Sequence, residues 1–371
     1  MNKLLSYRRL GDFIERCEGR NSKWKFSFSD MRGVNNEGKI CNSIAKTDGL
    51  DLSAYKIARK GDFIYNPARL DLGSISRLKE NECIVSTLYV VFRVRHEKES
   101  QLLPEYLEMW IHRSEFHRYV SYVNWGSARE YFWYDDMCEV NLPVPDIDTQ
   151  RRIVTEYQTV EGRIVNNEQF IQKLEETAHT IYKKVFVDDI DSENLPNGWR
   201  VGTLRDVAEC FDSKRKPMSG DVRQGMEKKY PYYGAAALMD YVDNYIFDGE
   251  YVLMGEDGSV QNEDGTPVLQ FVRGKIWVNN HAHVLQGKNG FDNNLLWLKL
   301  SSTVITDIVT GGVQAKINQE NMFSIPVLIP SDDALKDIKK QINPLFSYWF
   351  LLKKENQLLE EMKETLLAKL A

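Results

Sequence analysis

The chain has 371 residues, 42% hydrophobic, 27% charged and 11% aromatic, more than one hydrophobic core usually supports and enough apolar surface for two or more globular domains, so wholesale disorder is excluded. A formal net charge of −6 excludes a non-specific nucleic-acid coat, which needs clustered Lys and Arg against phosphates, so any DNA binding must come from local basic patches. No run approaches the roughly 18 apolar residues of a membrane span, and five scattered cysteines without a CxxC pair signal neither a disulfide framework nor a thiolate zinc site.

Met1-Asn2-Lys3-Leu4-Leu5 leads into Tyr7-Arg8-Arg9 without a signal-peptide hydrophobic region, so a soluble, cytoplasmic protein is expected. Residues 1–147 read as a first α+β head. The run Ile84–Phe92 has strand character, Pro104–Tyr122 is helical, and Gly, Asn and Asp turns punctuate both. Its candidate DNA contacts are Arg20, Lys23 and Lys25 around Trp24, with Asn66 and Arg69. A polar loop, Gly126-Ser127-Ala128-Arg129-Glu130-Tyr131, closes the head and contributes Arg129 and Tyr131.

Residues 148–187 predict one long helix. Ile153, Tyr157, Val160, Ile164, Asn167, Ile171, Leu174, Ala178, Ile181 and Val185 recur at alternating spacings of four and three, a heptad seam. After a linker over 188–198 comes a second head, residues 199–331. It carries Lys214-Arg215-Lys216-Pro217, Tyr230-Pro231-Tyr232-Tyr233-Gly234, Gly255-Glu256-Asp257-Gly258-Ser259 and the strand Lys275–Val278, running on to Asn280 and His281. Lys and Arg suit phosphates, Arg and Gln can bond base edges bidentately, and glycine turns let backbone amides approach a duplex. His281 and His283 share one strand face, but no further ligand with metal spacing follows, so structural or DNA-contacting roles are expected and no metal. The head ends in Gly311-Gly312-Val313-Gln314-Ala315-Lys316, which supplies Gln314 and Lys316. Residues 332–371 repeat the seam with Ile338, Ile342, Leu345, Trp349, Leu352, Asn356, Leu359, Lys363, Leu366 and Leu370. Pro344 should kink or interrupt that helix near its start.

Corresponding positions stand 185 residues apart: Met137 with Met322, Pro145 with Pro330, Ile153 with Ile338 and Glu175-Glu176 with Glu360-Glu361. The heads match less tightly, Leu10-Gly11-Asp12 standing beside Leu204-Arg205-Asp206. The chain therefore reads as a tandem repeat of a divergent head and a matched tail. For both seams to pair, the second helix must run back along the first. The expected fold is α+β: two mixed α/β heads joined by two long antiparallel coiled-coil helices in a pseudo-twofold internal repeat. Helices of some 35 residues would space the heads on the order of 50 Å apart.

Tyr230-Pro-Tyr-Tyr-Gly234, Gly255-Glu-Asp-Gly258, Trp277-Val-Asn-Asn-His281 and the head-end loops, in the order head, helix, head, helix, resemble the specificity subunits of type I restriction-modification systems. The resemblance implies two target recognition domains, each reading one half of an interrupted sequence in double-stranded DNA. It also implies helices that set the gap and hold two methyltransferase subunits, with restriction and translocase subunits completing the complex. It implies no catalytic site and no cofactor on this chain; S-adenosylmethionine, ATP and Mg would sit on the partners. Two rivals differ in class. A methyltransferase or nuclease with its own recognition domain is suggested by Asn66-Pro67-Ala68-Arg69, which lacks the second proline and aromatic of an amino-methyltransferase motif; no glycine-rich cofactor loop or Walker A loop is seen. A coiled-coil scaffold binding only protein would leave the divergent heads unexplained.

Overall fold

Strand-forming runs of three to ten residues separated by turns pair locally, whereas the two heptad seams need long, unbroken helices. The computed structural model describes residues 7–43, 49–125, 131–188, 190–191, 194–311 and 314–370. It combines helix and sheet and divides into two compact units, residues 1–166 with 355–371 and residues 167–354. None of the described helices is long and apolar enough to cross a membrane.

In the first unit an antiparallel sheet orders its strands Ile14–Arg16, Val90–Val94, Phe63–Tyr65, Ile75–Arg77. Phe63, Ile64 and Tyr65 are all fully buried, which requires cover on both faces. Phe63 and Tyr65 enter the main core with Leu10, Tyr106 and Met137, while Ile64 enters a smaller one with Val34 and Leu78. The predicted helical stretch divides into Pro104–Ile111 and Ser114–Trp125. The break at His112-Arg113 lets Trp110 and Phe116 meet in the core at 5.5 Å.

In the second unit a six-stranded sheet is built on the long hairpin Phe247–Gly255 with Leu269–Val278. The strand Tyr230–Tyr233 adds parallel to the end of that hairpin, and Ala282–Gly287 pairs antiparallel on its other side. The sheet thus gathers the ends of three separated motifs at one place.

Each unit closes by the same device. Tyr7–Arg9 pairs antiparallel with Asn141–Pro143, and Arg200–Thr203 with Pro326–Ile329. Just beyond, the Leu10 amide donates to the Val140 carbonyl and the Leu204 amide to the Ile325 carbonyl, both at 2.8 Å. Met137 and Met322 are fully buried beneath these closures.

The helices Ile147–Lys183 and Asp332–Ala368 each contain 37 residues, and both their starts and their ends are 185 positions apart. At 1.5 Å per residue each is about 55 Å long. Pro344 lies inside the second without interrupting it. Its missing N–H deprives only the carbonyl of Lys340, an exposed residue that water can serve.

Within the first unit, Val160 and Ile164 pack with Leu359 and Leu366, and Arg163 donates to Glu355 at 3.2 Å. Ile153 and Tyr157 share the head core with Leu367 and Leu370, so the two helix segments run antiparallel there. Gln150, fully buried, fixes the helix start to the head: it accepts from the Leu103 amide at 2.8 Å and donates to the Gln101 and Pro145 carbonyls at 2.7 and 2.8 Å. Within the second unit, Ile171, Leu174, Ala178 and Ile181 join Ile338, Ile342 and Trp349 in one core with head residues such as Leu204 and Leu295. Helix pairing and packing on the head are therefore not alternatives; one seam serves both.

Candidate nucleic-acid interface

Four segments of the second head are tied together around two acids. Arg215 donates to Glu256 at 2.6 Å and to the Ala282 carbonyl at 2.7 Å, and its guanidinium lies 3.4 Å from Asp212. Only 11% of the Arg215 side chain and 15% of Glu256 are exposed. The same glutamate lies 3.6 Å from the Lys316 ammonium and 3.8 Å from His283. Its amide donates to the His281 carbonyl and its carbonyl accepts from Ile317, both at 2.8 Å, while the Gly258 amide donates to Ala315 at 2.9 Å. Segments 212–216, 255–259, 279–283 and 314–317 are thus held as one surface.

Below them, His283 is fully buried and sits between the Asp212 carboxylate at 2.6 Å and the Ile317 carbonyl at 2.9 Å. Both ring nitrogens thus face oxygen atoms, which locks the ring in place. Asp212 also accepts from the Val284 amide at 2.9 Å and from Gln319 at 2.8 Å. Burial opposes its charge, but the His283 bond and charge, the Val284 amide and Arg215 outweigh it and hold the carboxyl down at about 2.

Cys210, Asp212 and His283 bring ligand-type atoms within 4.8 Å of one another. Their chemistry suits a hydrogen-bonded cluster rather than a cation. Asp212 is already saturated by donors with a guanidinium beside it. Burial, then the Asp212 charge, pushes the Cys210 thiol up to about 12.

The structure sorts the candidate residues. Lys214, Lys216, Gly258, Ser259, Asn280, Gln314 and Lys316 are exposed on or beside the braced loops, and His281 is half-buried against Asp257. Arg215 is spent internally as the brace. Tyr232 is 1% exposed and its hydroxyl accepts from the Met218 amide at 3.1 Å, with Arg223 over its ring at 4.6 Å. Tyr233 is half-buried and Gly234 buried. A Cβ on Gly234 would lie 2.4 Å from Sδ of the exposed Met239, which would have to move aside. Asp212 and Gln319 were not singled out from sequence, because their partners lie 71 and 107 positions away.

In the first head the candidates fall in two places. Asn66 and Arg69 share a turn, the Arg69 amide donating to Asn66 at 3.0 Å, and the neighbouring Pro67 carbonyl accepts from Phe132 at 3.0 Å. That brings the turn beside Tyr131, which stacks on Trp133 at 5.3 Å. Arg129 lies outside the described residues. Arg20, Lys23 and Lys25 belong to another loop. Arg20 donates to the Ala54 carbonyl at 2.8 Å, and Lys25 pairs with Glu82. Nearby Lys56 is lowered to about 8, first by burial and then by Arg16 and Arg20, a sign of crowded positive charge.

Residues 196–363 match the family model for the type I restriction modification DNA specificity domain. The second head and most of the second long helix therefore resemble that domain. A stretch of 142 residues is 34% identical to a putative type I restriction enzyme specificity subunit of Haemophilus influenzae, covering 38% of this chain and 36% of that protein. The HindI specificity subunit of the same organism is 25% identical over 181 residues, 46% of this chain and 39% of that one. The MjaIX specificity subunit of Methanocaldococcus jannaschii is 21% identical over 303 residues, 72% of this chain and 68% of that one. The chain thus spans little more than a third of the length of the first two relatives. The crystal structure of a type I restriction-modification S subunit from M. genitalium covers 100% of this chain and 97% of its own, with TM-score 0.62 at 14% identity, a likeness of fold.

Proposed function

We propose that this chain is the DNA-specificity subunit of a type I restriction-modification complex, each head reading one half of an interrupted target. The observation that carries the reading is the braced surface of the second head. Its internal charges are consumed by Arg215, Glu256, Asp212 and His283, while Lys216, Gln314 and Lys316 remain exposed on the same loops. Such loops, held in place from beneath, suit phosphate contact and base readout.

In this reading the chain supplies the address and performs no chemistry. Two methyltransferase subunits dock on the long helices, flip out an adenine and methylate it from S-adenosylmethionine. Restriction and translocase subunits add the ATP- and Mg-dependent steps. The helices act as a ruler, so their length sets the gap between half-sites.

Exchange of residues 1–147 for those of a relative of different specificity tests the reading in the assembled methyltransferase. One half of the methylated motif should change and the other persist. Changes in both halves would overturn the division of labour between heads. Shortening the helix within 149–187 by one turn should alter the gap and leave the bases read unchanged.

A further inference from the structure

Trp24 is 59% exposed and stands at φ +51, in the left-handed region that bulky side chains avoid. The conformation is imposed by its surroundings. Asn21, 1% exposed, donates from its side chain to the Phe26 carbonyl at 2.9 Å and accepts from the Phe26 amide at 3.0 Å. Its own amide is anchored on the Tyr55 carbonyl at 3.0 Å, and its carbonyl receives the Trp24 amide at 2.8 Å. The loop is thus closed at both ends and tied to the head, and it holds the indole outward. Lys23 and Lys25 flank the ring in sequence.

Folding stability gives no reason for this arrangement. A glycine would adopt the same backbone without strain, and the indole is left largely in water rather than buried. A fixed aromatic beside the exposed Lys23, with Lys25 held by Glu82 on the other side, matches one surface well: a nucleic acid, with a phosphate for the Lys23 ammonium and a base face for the ring. Because a duplex hides its base faces within the stack, the ring gains that contact only where a step opens. Flexible pyrimidine–purine steps open at least cost.

Resting on the DNA-reading role above, we propose that Trp24 is a wedge of the first head: it stacks on a base at a flexible pyrimidine–purine step of that head's half-site and selects the step by deformability.

The test uses the full chain assembled with its methyltransferase subunits and a duplex carrying the motif that this complex methylates. Trp24→Gly and Trp24→Ala should weaken binding roughly 10- to 100-fold, and Trp24→Phe should restore most of it. Trp24→Gly should leave the thermal midpoint unchanged or raised, whereas a structural role predicts a fall. The emission of a 2-aminopurine placed at the opened step of the first half-site should change on binding of the wild-type complex and keep its duplex value with Trp24→Gly. Binding within twofold of wild type with no 2-aminopurine difference would overturn the proposal. So would loss of subunit assembly with DNA affinity intact, which would assign Trp24 to a protein contact. A wild-type complex that selects no two-part site would overturn the DNA-reading role itself, and this inference with it.

Discussion

Arg215 donates to Glu256 at 2.6 Å inside the second head, joining a segment after the strand Ala208–Cys210 to the loop after the strand Phe247–Gly255. Removing the guanidinium takes from Glu256 its closest cation and from Asp212 the partner that stands beside His283, in a largely dehydrated place. Arg215→Ala should cost about 3 kcal/mol of second-head stability and abolish selective DNA binding. Arg215→Lys, a point charge without the fork, should recover less than half of the stability. Chemical denaturation of the three proteins checks this; equal stabilities would mean that the brace is idle.

The depressed acidity of Asp212 fixes a pH dependence. Its folded value, about 2, lies below the ordinary unfolded value near 3.9. The stabilisation, roughly 2 kcal/mol, is therefore complete above the unfolded value and lost as pH falls from about 4 towards 2. Thermal midpoints of wild type and Asp212→Asn, followed from pH 6 to pH 2.5, should converge at the acid end. A gap that stays constant would contradict the assignment.

Lys216 and Lys316 project from the braced loops. If they meet phosphates, each alanine substitution should reduce the log–log salt slope of DNA binding by roughly 0.9 while shifting stability by less than about 0.5 kcal/mol. Titrations at several salt concentrations decide it. An unchanged slope with both lysines removed would place the duplex elsewhere.

Trp349 is 1% exposed, donates from its indole to Glu175 at 2.6 Å and carries the Lys353 ammonium over its ring at 3.6 Å. Trp349→Ala should destabilise the second unit by about 3–5 kcal/mol, read by calorimetry. Trp349→Phe should lose less, keeping the ring but not the indole donor. A loss under about 1 kcal/mol for Trp349→Ala would mean that the helices pack loosely there.

The sequence made the long helices legible because ten apolar-rich positions repeat over about five heptads. Their bounds at Ile147 and Asp332 follow the repeat offset seen in Met137/Met322 and Pro145/Pro330. Continuity through Pro344 was not legible, since it depends on whether solvent serves one carbonyl. The candidate site was legible as motifs but not as roles. Lys214, Arg215 and Lys216 look alike in sequence, yet Arg215 turns inward to two acids while its neighbours face water. Tyr232 reads like Tyr233 but fills the core. Such distinctions are set by long-range contacts, as between Asp212 and Gln319, which no local pattern encodes.

The most direct test of the central claim is to co-express the chain with its methyltransferase subunit in a host lacking DNA methylation and to map modified adenines across the genome. An interrupted two-part motif is predicted. A continuous motif would contradict two heads reading separate halves, and no methylation alongside sequence-independent DNA binding by the assembled complex would contradict the specificity role itself.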